Sequence, residues 1–149
     1  MRLEILILTK LRIAALLALL GMVCASSSNV VAEGNLARRA ERLAPLVIDA
    51  VSGFSQTSYT IETGKFYRWR IESDGRDEYR ILAPELFKNS WIDQILIDDK
   101  SIEPMGIHAI EFDDEGEVDI FFIPIRPGSY EFFVPNLRSQ GFRGTFEIE

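Results

Sequence analysis

From Ser58 onward the apolar positions recur with a period of two. In "FYRWRIE" the residues Tyr67, Trp69 and Ile71 fall on one side and Arg68, Arg70 and Glu72 on the other. That alternation marks a strand with one face buried and one face wet. Similar runs follow at "EYRILA", "WIDQILI", "HAIEFD", "EVDIFFI", "SYEFFV" and "TFEIE". Turn chemistry separates them: Thr63-Gly64, Asp74-Gly75, Glu115-Gly116, Pro127-Gly128, and Gly141 with Gly144. Asp74-Gly75 and Glu115-Gly116 suit tight reversals, because glycine reaches positive φ without a steric penalty. Seven or eight short strands at this spacing predict an all-β, antiparallel sandwich or barrel. "PELFKN", with Pro84 at its head, predicts a single helical turn between strands, and Trp69 and Trp91 are read as core or sheet-packing residues.

Upstream the pattern changes. In "NLARRAERLAPLVIDAV" the residues Leu36, Ala40, Leu43 and Leu46 recur at helical spacing, with arginines and Glu41 between them. The spacing predicts a short helix over about residues 36–43, capped by Asn35 and ended by Pro45. Residues 26–34 are small and polar and read as a leader. The first 25 residues carry Arg2, Lys10 and Arg12 ahead of an apolar run over residues 13–23. That run is shorter than the roughly 20 residues a membrane span needs, but it suits the core of a signal peptide. Val23-Cys24-Ala25 places small residues before a cut after Ala25; Val30-Val31-Ala32 is a second, more distant candidate. The expected organisation is a signal peptide over 1–25, a leader with a short helix over 26–57, and a β domain over 58–149, in a periplasmic protein. Cys24 raises the alternative of a lipoprotein, against which Val23 stands where a small residue is expected.

The charge narrows the partners. The chain has 149 residues, with 16 Lys and Arg against 23 Asp and Glu, a net charge of −7. Removing the signal takes three bases and Glu4 and leaves a net of −9. Such acidity disfavours nucleic acid and anionic membrane surfaces as partners. Cys24 is the single cysteine, so a chain cut after Ala25 has neither disulfide nor thiolate. With no cysteine in that chain and one unpartnered histidine, His108, neither a Cys–His dyad nor a Ser-His-Asp triad can be argued, and no glycine-rich phosphate loop is present. Two of its many carboxylates meeting in a cleft is a route to catalysis that stays open. Met105 and His108, in "PMGIH", are half of a copper site. "EFDDEGEVD" clusters acids without the register of a calcium loop and reads as a solvated hairpin. Arg68, Arg70 and Arg80 form a candidate stripe on one sheet face, with Glu62, Glu72 and Asp77 near it.

The stretch "FFIPIRPGSYEFFVPNLRSQGFRGTFEIE" resembles the C-terminal third of a cupredoxin, the sandwich family of blue copper proteins. In many members a Pro-Gly-x-Tyr-x-Phe strand leads to a loop of Cys, two residues, His, four residues, Met, one residue, Gly. Here the frame is Pro127-Gly128-Ser129-Tyr130-Glu131-Phe132, followed by Val134, Leu137, Phe142 and Gly144. The resemblance covers about residues 58–149. It implies a Greek-key β-sandwich of the cupredoxin type, with seven to eight strands. It further implies that Tyr79, in "EYRI", stands at the first histidine position, and that Tyr79, Val134, Leu137 and Phe142 are degenerate ligand positions. A blue copper site needs a thiolate and two imidazoles, so the resemblance implies a module with no cofactor that works through a periplasmic protein partner. A copper carrier using Met105 and His108 is the alternative.

Overall fold

A computed structural model describes residues 38–149. The signal peptide, Cys24, the Asn35 cap and residues 26–37 of the leader lie outside the described residues. The chain forms β1 (Glu41–Arg42), β2 (Leu46–Asp49), β3 (Gly53–Phe54), β4 (Ser58–Ile61), β5 (Tyr67–Ser73) and β6 (Tyr79–Ile81). A helical turn α1 (Pro84–Lys88) precedes β7 (Ser90–Ile97), β8 (Lys100–Ile102), β9 (Ile110–Phe112) and β10 (Gly116–Pro124). β11 (Gly128–Phe133), a 3-10 turn (Pro135–Gln140) and β12 (Arg143–Ile148) complete the order. Pro84 opens α1, where its missing N–H costs nothing.

The larger sheet runs β3-β2-β5-β10-β7-β8, with β1 beside the start of β5. A second sheet runs β11-β12-β4, and β6 pairs with β9. Leu82 bridges to Phe133, which ties the β6 segment to the end of β11. Most pairings are antiparallel; β1 and β2 against β5, and β12 against β4, run parallel. The two sheets meet through aromatic rings. Trp69 of β5 packs edge-on to Phe146 of β12 at 5.0 Å between centroids, and Tyr59 of β4 stacks on Phe146 at 4.7 Å. Phe132 lies 5.4 Å from both Trp69 and Phe146. Tyr67, Trp69 and Ile71 are all buried, as their alternation requires.

The room for Phe132 comes from Gly144, its partner across the β11–β12 ladder. A Cβ built there would lie 2.2 Å from the Phe132 ring, so any side chain would displace the centre of the core.

Two expectations are corrected. No helix forms over the described part of residues 36–43; β1 lies there instead. Its strand is held to β5 by Glu41 N–H donating to the Phe66 carbonyl at 2.8 Å and Leu43 N–H donating to that of Arg68 at 3.0 Å. The helical spacing lost to sheet pairing, which satisfies the same backbone groups beside Pro45. The domain also begins earlier than residue 58. Leu46 and Ile48 of β2 are fully buried and Phe54 of β3 packs on Phe132, so the supposed leader supplies core strands.

Candidate functional site

β6 follows the Asp74–Gly75 turn and directs Tyr79 inward. At the same end of the sandwich, β11 runs into the 3-10 turn and returns as β12. Val134 N–H donates to the Phe142 carbonyl at 3.0 Å, which closes the base of this loop. Gly141 adopts φ +92° and its N–H caps the Leu137 carbonyl, a left-handed helix end that glycine takes at least cost.

The four positions singled out from the sequence differ in burial. Tyr79, Val134 and Phe142 are buried, while Leu137 is half-buried on the rim. Tyr79 and Phe142 stack, with centroids 5.8 Å apart and planes 22° from parallel. Phe142 in turn meets Phe54 edge-on at 5.7 Å, and Phe54 stacks on Phe132 at 5.6 Å. The ring row therefore runs from Tyr79 down into the core. Phe54 escaped the sequence reading, because a two-residue strand carries no period.

The Tyr79 hydroxyl donates to Asp74 Oδ1 over 3.4 Å. Burial, reinforced by the Asp74 charge, pushes the phenol up to about 12, so it stays protonated. Asp74 is held below the ordinary carboxylate range by the Ala50 N–H on Oδ2 and the Arg76 N–H on Oδ1. These side chains offer one phenol, one carboxylate already engaged by backbone donors, and hydrocarbon. Sulfur and imidazole are absent from this set.

Met105 and His108 are both exposed on the segment between β8 and β9, Met105 fully so. Among the described residues no group of three or more His, Cys, Asp or Glu is placed to hold a metal ion. The arginine stripe divides: Arg80 lies on β6 opposite Glu111, while Arg68 and Arg70 share the outer face of the larger sheet. Both converge there on Asp119 of β10, which the sequence reading placed in the solvated acidic hairpin but which is buried. Arg68 Nη2 donates to Oδ2 at 2.6 Å, Arg70 Nε to Oδ1 at 2.9 Å and Arg70 Nη2 to Oδ2 at 2.9 Å. Burial raises the Asp119 carboxyl, but the bonds from Arg70 and Arg68 outweigh it and hold the group below its ordinary value. Trp91 is also corrected: it is 57 % exposed on β7.

No family model matches the chain, and no curated protein matches it. Among solved structures it is similar to a multicopper oxidase from Campylobacter jejuni, described as a metallo-oxidase. The TM-score is 0.52 at 9 % identity, over 74 % of this chain and 30 % of that one. It is also similar to dithionite-reduced auracyanin from the photosynthetic bacterium Roseiflexus castenholzii, with a TM-score of 0.46 at 16 % identity, over 70 % and 94 % of the two chains. The chain spans less than a third of the oxidase it matches. The fold is a cupredoxin-like β-sandwich. Among the described residues, no helix is long and apolar enough to cross a membrane.

Proposed function

We propose that the protein is an exported, non-catalytic cupredoxin-like module that holds no type 1 copper and acts by binding a protein partner. The observation that carries this reading is the Tyr79–Phe142 ring stack. It occupies, with Val134, the end of the sandwich where the cupredoxin resemblance would set the metal. A copper ion there would need a thiolate and imidazoles, and the side chains present are aromatic and aliphatic. Packed rings also resist reopening, because a cavity in a core costs about 24 cal/mol per Å³.

Copper titration tests the reading. Loading with Cu(II) yields no intense blue absorption, and whatever copper binds does so weakly and is lost in His108→Ala. Tight, stoichiometric copper that survives His108→Ala would overturn the proposal.

Export is tested separately. Intact-mass measurement of the protein made by its own host is expected to give a chain beginning at Ser26. A chain that keeps Cys24 with added acyl mass would replace the soluble periplasmic module with a lipoprotein.

A further inference from the structure

The outer face of the larger sheet holds an open pocket of about 290 Å³, lined by Arg42, Leu43, Pro45, Arg68, Arg70 and Glu72. Arg42 of β1 is in register with Arg68 of β5, so two arginines start from facing positions on strands about 4.8 Å apart. Like charges so placed repel unless an acid comes between them. Among the described residues that need is met only in part. Arg70 is engaged through all three nitrogens: Nε and Nη2 donate to Asp119, and Nη1 donates to Glu117. Arg68 reaches Asp119 through Nη2, at an oxygen it shares with Arg70. Its Nε is buried without a hydrogen-bond partner, a condition few buried donors in folded proteins show. Arg42 is exposed and forms no ion pair among the described residues.

Positive charge gathers around the same corner. Arg38 and Arg39, just ahead of β1, are exposed and likewise form no ion pair among the described residues. The chain that carries them has a net charge of −7, and a local cationic surface of this kind draws anions to one place. The pocket also has a direction. From Arg68 to Glu72 is four residues of β5, about 13 Å, so the positive end lies at Arg42 and Arg68 and the negative end at Glu72. Leu43 and Pro45 supply the apolar part of the lining.

We propose that this pocket binds a side-chain carboxylate from an acidic segment of a partner polypeptide, a site that rests on the partner-binding reading above and states the chemistry of that partner. A guanidinium fork matches a carboxylate through two parallel hydrogen bonds. One negative charge set between Arg42 and Arg68 relieves their repulsion. A phosphate dianion would bring a second charge towards Asp119 and Glu72, and the net charge of the chain opposes the run of phosphates in a nucleic acid. Leu43 and Pro45 suit the methylenes of a glutamate.

Fluorescence anisotropy of a labelled pentaglutamate peptide, amidated at its C-terminus and titrated with the protein as processed by its host, tests this. Saturable binding is expected at about 0.01 M salt. It should weaken at about 0.15 M, where the screening length falls from about 30 Å to about 8 Å. Arg42→Gln should weaken binding by about tenfold or more with an unchanged circular dichroism spectrum. Arg126→Gln removes another exposed arginine, between β10 and β11, and changes the net charge by the same amount; it should leave binding unchanged. Equal losses in the two variants would reduce the effect to net charge and overturn the pocket. No saturable binding would overturn it as well. So would inorganic phosphate that displaces the peptide more readily than acetate at matched ionic strength, which would assign the pocket to phosphate groups. The copper titration involves none of these arginines, so a failure of the module reading is distinguishable from a failure here.

Discussion

Phe142→Ala is expected to lower the unfolding free energy by about 3–5 kcal/mol, the usual cost of truncating a buried aromatic ring. The ring is 4 % exposed and contacts Tyr79 on its face and Phe54 at its edge. Neither neighbour can follow it outward: Tyr79 is fixed in the β6–β9 pair, and Phe54 is stacked on Phe132. The bonds that close the loop use the Phe142 backbone and survive the substitution, so the loss reports side-chain packing. Denaturant melts of Phe142→Ala beside Leu137→Ala separate packing from loop geometry. Leu137, half-buried on the rim, should cost less than Phe142. A Phe142→Ala loss under about 0.5 kcal/mol, the scale of exposed substitutions, would contradict a packed ring there.

Asp119→Asn is expected to cost about 1.5–3 kcal/mol near neutral pH, the range for hydrogen bonds to a charged group. Asp119 is 6 % exposed, accepts from two arginines, and is paired in register with Arg70 across β5 and β10. Asparagine keeps the shape and removes the charge, leaving two guanidinium groups facing a neutral acceptor. The pH dependence has a definite sign. The folded carboxyl titrates below its unfolded value of 3.8, so its contribution is complete above that value. It is lost as pH falls through the lower folded pKa. The stability gap between wild type and Asp119→Asn should therefore narrow below about pH 3.8. Urea melts at neutral pH and near pH 3 check it; a gap that does not change would remove the charge from the explanation.

What could be read from the chain alone was the alternation. β5, β6, β7, β9, β10, β11 and β12 each lie on a run with period two. β1 and β3 have two residues each, too few to show a period, and tertiary pairing overrode the helical spacing around Arg38 and Arg42. Trp91 was misread for a different reason. A regular strand would place Trp91, Asp93, Ile95 and Ile97 together, but the ladder slips between Phe121 and Phe122. The bulge sends Ile92 and Ile95 inward and leaves Trp91 outside. At the candidate site the loop spacing was visible in the sequence, while the Phe54 contact was not. Asp119 was hidden because its partners are about fifty residues away, and pairing Arg70 with Asp119 requires the register of two strands.

β12 is the middle strand of its sheet, with β11 on one side and β4 on the other. Thr63 Oγ1 donates to the Glu149 carbonyl across 86 residues, so this layer is stitched by contacts distant in sequence. Chains of such high contact order fold slowly, and here half of the sandwich has no centre until residues 143–148 have been synthesised. By then every strand of the larger sheet has been made, while Trp69 and Tyr59 still lack Phe146.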